Sequence, residues 1–139
     1  MSSYRILILA TRHAIPPDSG YATDVHGAIG QLVKQGAEVR VLLVDDGKAH
    51  PTDYPAGLLA GVVRLPRWRR VTALVQALVT GRAYVACKWA IPKVVRRACA
   101  LHAEWPFDLV QGCGLFHAEN ALAIRRRCGA KVVVRSQNV

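Results

Sequence analysis

The chain has 139 residues, the size of one domain built round one hydrophobic core. With 52% hydrophobic and 20% charged residues it can bury such a core, which excludes a disordered tail. Its 19 Lys and Arg against 9 Asp and Glu leave a net charge of +10, which asks for an anionic partner: phosphate, nucleic acid or a membrane surface.

Ile6-Leu7-Ile8-Leu9 is a continuous apolar run, as in strands buried on both faces of a parallel sheet. The apolar run after Arg5 is five residues long, too short for a secretory leader. A loop from Thr11 to Ala22 follows, holding Pro16, Pro17, Asp18, Ser19 and Gly20. Val25, Ala28, Ile29, Leu32 and Val33 then recur at helical spacing. Thr23 reads as the N-cap, Asp24 as a first-turn acid and Gly36 as the stop. Val39 to Val44 is the next strand, closed by Asp45-Asp46-Gly47. Strand, helix, strand in that order is a right-handed βαβ unit.

Lys48 to Gly61 is loop punctuated by Pro51, Pro55 and Gly57, and Val62 to Leu65 is a short strand stopped by Pro66. Val71 to about Trp89 reads as helix with a break at Gly81; Arg82 and Lys88 inside it argue against a bilayer span. Pro92 opens a further helix whose apolar face includes Val95, Ala98, Cys99 and His102. Phe107 to Val110 is a strand, Ala118 to Cys128 a helix closed by Gly129, and Lys131 to Val134 a last strand. The expected fold class is therefore α/β, a Rossmann-like parallel sheet flanked by helices. The chain stops at the strand edge where open α/β sheets bind ligands, so a covering helix or a second domain is expected beyond it.

Cys87, Cys99, Cys113 and Cys128 are widely spaced with no CxxC pair, which points to reduced thiols rather than zinc or a disulfide framework. No metal site is expected. The Ser19-Gly20 turn has neither the dinucleotide GxGxxG pattern nor the P-loop pattern. Gly20 either admits a phosphate to the backbone at a helix N-terminus or merely shapes a turn, and the loop alone leaves both readings open.

In context the loop says more. RILILATRHAIPPDSGYATDVHGAIGQLVKQGAEVRVLLVDDG, with Phe107-Asp108-Leu109-Val110 and the closing Val-Val-Val-Arg-Ser-Gln-Asn-Val, resembles the N-terminal domain of subfamily 4-like glycosyltransferases of the GT-B fold. The likeness covers about residues 4–48 and 106–139. It implies that residues 1–139 are a Rossmann-like, acceptor-side domain whose donor-binding partner domain is absent. It further implies a retaining enzyme of polysaccharide biosynthesis that moves a sugar from a nucleotide-sugar donor, with no other cofactor, to a glycan or lipid-linked acceptor. Ser19 and Gly20 would lie near the donor diphosphate, and Ser136 and Asn138 at the substrate edge.

Three positions depart from that family's pattern. Its Gly-Gly turn is Gly20-Tyr21 here, its His-x-His is Gln111-Gly112-Cys113, and its Arg-Ser/Thr-His-Asn has Gln137 before Asn138. Cys113 thus stands at a substrate-binding position. His117, four residues on, is the candidate catalytic imidazole, unless it is simply a helix-start or surface residue. Asp45-Asp46-Gly47 reads as a polar turn, Glu119 as a helix-dipole residue, and Cys113 as no nucleophile.

From Tyr54 through Ala103 there is no Asp or Glu, yet there are nine Lys and Arg with Trp68 and Trp89 between them. Arg67, Trp68, Arg69 and Arg70 are the densest piece and would face an anionic membrane; the bland alternative is a solvated basic face. Nucleic acid ranks behind both, since no nucleic-acid module is recognisable. The expected location is cytoplasmic, peripheral on the inner face of the plasma membrane. The rival function is a non-catalytic basic α/β module that binds an anionic ligand or a membrane.

Overall fold

The computed structural model describes residues 3–11, 19–45 and 54–136. Five strands form one all-parallel sheet in the order β3-β2-β1-β4-β5. They are β1 (Arg5–Ala10), β2 (Glu38–Asp45), β3 (Leu59–Arg64), β4 (Leu109–Cys113) and β5 (Lys131–Arg135). Five helices flank them: α1 (Gly20–Lys34), α2 (Arg69–Thr80), α3 (Tyr84–Trp89), α4 (Pro92–Glu104) and α5 (Ala118–Cys128). The expected α/β, Rossmann-like class is what the chain adopts.

The unbroken apolar character of β1 follows from the two faces it serves. Leu7 and Leu9, with Leu42, Val44 and Val110, pack beneath α4 and α5 against Val94, Val95, Ala98, Leu101, Ala121 and Ile124. Ile6, Ile8 and Ala10, with Val39, Val41 and Leu43, pack on the opposite face against Val25 and Ile29 of α1. Neither face is left to water, so alternation is lost from the sequence.

Several boundaries differ from expectation, each for a local reason. Helix α1 begins at Gly20, not after Thr23: Ser19 has extended backbone and its Oγ accepts from the Ala22 N–H at 3.1 Å. Ser19 and Thr23 are both of a type that caps helices, and the cap observed is Ser19. Strand β4 runs on through Gln111 and Gly112 to Cys113, beyond the apolar stretch that marked it. Gly81 does break the long helical stretch, closing α2 in a left-handed conformation at φ +68°. Pro92 stands in the first turn of α4, and Gly129 closes α5 at φ +73°.

The chain order places α1 on one face and the β3-to-β4 crossover, α2 to α4, towards the other. The direction of winding therefore reverses between β1 and β4. Crevices at such reversals, outside the carboxyl ends of the strands, are where open α/β sheets take ligands. Among the described residues, no helix is long and apolar enough to cross a membrane.

Candidate functional site at the carboxyl edge of β1 and β4

Strand β1 delivers Thr11 to the reversal, and Ser19-Gly20 re-enters beside it as the start of α1. Ser19 caps this helix: its side chain takes the Ala22 N–H and its carbonyl takes the Thr23 N–H at 2.8 Å. Among the described residues, the Gly20 and Tyr21 N–H groups have no such acceptor, and they lie at the positive end of the helix dipole. Gly20 is exposed, and a Cβ built on it meets no atom within 4 Å. Its backbone is not left-handed either. Among the described residues, neither conformation nor packing requires glycine at position 20.

Tyr21 fills the crevice from below. Its hydroxyl accepts from the Thr11 N–H at 3.1 Å and donates to the Cys113 carbonyl at 2.9 Å, bridging the ends of β1 and β4. Burial pushes its pKa well above the ordinary tyrosine value, against the downward pull of the Thr11 contact, so it stays a neutral hydroxyl. The side chain is thus turned onto the sheet edge, away from the exposed Gly20.

The two residues expected to replace the family histidines are both sealed. Cys113 is 1% exposed and packs in the core beneath α1. Burial pushes its thiol up to about 11, so it is a poor thiolate, and its carbonyl is already held by Tyr21. His117 lies in a 3-10 turn over Leu115–His117 and is fully buried. Its ring packs against those of Phe116 at 5.2 Å and Trp89 at 6.0 Å. Its Cβ lies 3.2 Å from where a side chain on Gly112 would begin, so Gly112 is what lets the turn seat so deeply. Among the described residues neither imidazole nitrogen has a hydrogen-bond partner, and burial alone pulls the pKa down to about 3. A neutral, enclosed imidazole can neither donate a proton to a substrate nor touch one. His117, expected as the catalytic imidazole, thus presents no atom to solvent.

Ser136 is exposed just beyond β5, at the rim of a groove of about 840 Å³ between α1 and the sheet. Gln111, Val133 and Gln31 line the same groove, and Arg135 spans it to Asp24 of α1 at 2.7 Å. Asn138, like Gln137 and Asp46-Gly47, lies outside the described residues. Asp45 is the last residue of β2, buried, and its carbonyl accepts from the Leu65 N–H at 2.7 Å beside the end of β3. Glu119 pairs with Arg82 rather than facing the reversal. Among the described residues no three His, Cys, Asp or Glu side chains are grouped as a metal ion needs.

In sum, the edge gathers Ser19, Gly20, Cys113, His117 and Ser136, but only Ser19, Gly20 and Ser136 present atoms to solvent. The basic segment divides in a similar way. Arg67, Trp68 and Arg70 are exposed, whereas Arg69 is half-buried and donates to the carbonyls of Cys87 at 2.9 Å and Ala90 at 2.8 Å. Arg69 holds α2 to the end of α3 and is withdrawn from the surface role expected of it. Sequence reasoning passed over Asn120. Buried in α5, it accepts from the Ile91 N–H at 3.0 Å and donates to the Trp89 carbonyl at 2.6 Å, fixing the α3–α4 corner beside His117. An asparagine three places after a histidine carries no signal of that role.

No family model matches the chain, and no curated protein matches it.

Proposed function

We propose that the chain is the N-terminal, acceptor-side domain of a retaining glycosyltransferase that uses a nucleotide-sugar donor and works at the cytoplasmic face of a membrane. The observation that carries this reading is Gly20. A glycine stands at the first position of α1, beside the winding reversal, although a Cβ there would meet no atom of the described residues within 4 Å. A ligand approaching the backbone accounts for that choice.

The chemistry asked of this edge is electrostatic. In glycosyl transfer the bond between the sugar and the diphosphate breaks, and negative charge gathers on the departing phosphate oxygens. The N–H groups of Gly20 and Tyr21 and the dipole of α1 are suited to stabilise that charge before the reaction begins, with no reorganisation as it develops. The Ser19 hydroxyl, whose oxygen is occupied by the Ala22 N–H, retains its hydrogen for a phosphate oxygen. Tyr21 holds the two strand ends together beneath the ligand. Neither Cys113 nor His117 is given a direct role.

The test is transfer itself. Residues 1–139 alone are expected to turn over no nucleotide sugar, and the polypeptide that joins them to a donor-binding domain is expected to do so. Turnover by residues 1–139 alone would overturn the two-domain reading. The rival, a non-catalytic basic module, is favoured if the longer polypeptide binds anions but releases no nucleoside diphosphate from any donor.

A further inference from the structure

Helix α2 is built inside out. Ala73 is fully buried and Ala77, one turn on, is half-buried; these small residues form the side set towards the protein. The large apolar residues take the opposite side. Val71, Leu74 and Val75 are exposed, and Leu78 and Val79 are 77% and 80% exposed. Trp68, 63% exposed, extends the stripe at the start of the helix, and Tyr84 and Val85 continue it onto α3. A helix that rests on a protein core shows the reverse pattern, with the large residues inward. Helix α2 packs principally on α3, and among the described residues no other element covers the stripe.

Charge identifies the occupant. Arg64, Arg67 and Arg70 are exposed around the stripe, and residues 54–103 contain no carboxylate. Arg82 is the exception among the nearby cations, being paired with Glu119. A second copy of the chain docking through this same face would bring no carboxylate from residues 54–103 to meet these arginines. A partner must instead be apolar in the middle and anionic at the rim. We infer that α2 lies in the surface of an anionic lipid bilayer, with Trp68, Val71, Leu74, Val75, Leu78 and Val79 among the acyl chains and Arg64, Arg67 and Arg70 on the headgroups. Apolar residues on one face, cations beside them and a terminal Trp are the make-up of helices that lie on a membrane without crossing it. The inference uses only α2 and its surroundings, and it stands whether or not the chain transfers sugars.

The experiment is flotation of the purified chain with vesicles of pure phosphatidylcholine and of phosphatidylcholine mixed with phosphatidylglycerol. Binding is expected only with the anionic lipid. It should fall as salt shortens the screening length from about 10 Å at 0.1 M to 3 Å at 1 M, with a remainder held by the stripe. Arg64, Arg67 and Arg70 changed together to Gln should weaken partition roughly 100-fold, about fivefold for each headgroup contact. Leu78→Gln with Val79→Gln should weaken it about tenfold or more, by removing two side chains from the acyl region. Both positions are exposed, so circular dichroism and melting should not change. Fluorescence gives an independent reading: Trp89 and Trp105 are already buried, so a blue shift on adding vesicles reports Trp68 and should vanish in Trp68→Phe. Equal binding to neutral vesicles, or no effect of the Leu78/Val79 change, overturns the inference. So does dimerisation in the absence of lipid that the same change abolishes, or retention by duplex DNA at matched salt without vesicle binding.

Discussion

Replacing His117 with leucine should remove a large part of the chain's sensitivity to mild acid. The imidazole is fully buried, neither nitrogen has a partner among the described residues, and burial is the sole cause that pulls its pKa from 6.5 to about 3. Below pH 6.5 the unfolded chain takes up a proton at this residue, and the native chain does not until pH approaches 3. The unfolded state therefore binds more protons throughout that window. The stability that neutral His117 permits is fully present above pH 6.5 and is lost as pH falls towards 3, at about 1.4 kcal/mol per unit. At pH 5 the loss is about 2 kcal/mol, a substantial share of the 5–15 kcal/mol typical of a domain. Urea unfolding of wild type and His117→Leu at pH 8, 7, 6 and 5 measures it. Carboxylates titrate alike in both proteins, so the difference between the curves isolates His117. It should be constant between pH 8 and 7 and then move in favour of leucine by about 2 kcal/mol at pH 5. Parallel curves would mean that the imidazole is solvated or hydrogen-bonded in the native state, and the burial argument would fail.

Arg69→Gln should lower the melting temperature by about 10 °C or more: two charge-assisted bonds to the Cys87 and Ala90 carbonyls are lost, at about 1.5–3 kcal/mol each. The matching change at exposed Arg67 should leave melting within about 2 °C, and equal losses at the two positions would show that Arg69 is not anchored as described. Cys99 and Cys128, with sulfurs 3.3 Å apart, should join as an intramolecular disulfide under diamide, which takes up the two electrons as two protons leave the thiols. Burial and the neighbouring thiol push Cys128 up to about 11, so the reaction should quicken about tenfold per pH unit from 7 to 9, and the thiol count after denaturation should fall from four to two. A count that remains at four would place the two helices further apart.

The sheet was largely legible because burial on both faces leaves a direct trace. Ile6 to Leu9 and Val39 to Val44 are apolar without alternation, and the helix between them keeps its period. Punctuation was legible too: Gly81, Pro92 and Gly129 act through backbone conformation, which each residue type carries with it. Strand β4 was shortened in the reading because Gln111 and Gly112 resemble loop residues. Gln111 can be polar there because it borders the groove beside α1, and Gly112 must be small because His117 seats against it. Those are tertiary facts. The same limit applies to the site. Ser19 and Gly20 could be picked out locally, but whether Cys113 and His117 faced a ligand depended on how the turn after β4 folded back under Trp89 and Phe116. The stripe on α2 was present in the spacing of its residues, but which side faced outward depended on where α3 lay.

The most direct test of the proposed function is Gly20→Val in a polypeptide that carries this domain together with the proposed donor-binding domain. The assay is release of nucleoside diphosphate from the sugar donor, read beside the melting temperature. A Cβ at position 20 meets no atom of the described residues within 4 Å and valine is no worse a helix former than glycine, so melting should hold within about 2 °C. The same side chain would stand between a diphosphate and the N–H groups of Gly20 and Tyr21. Two charge-assisted hydrogen bonds at about 1.5–3 kcal/mol each would be lost, so turnover should fall about a hundredfold or more. Undiminished turnover, or a fall matched by an equal loss of stability, would contradict the assignment of this edge to the donor phosphates.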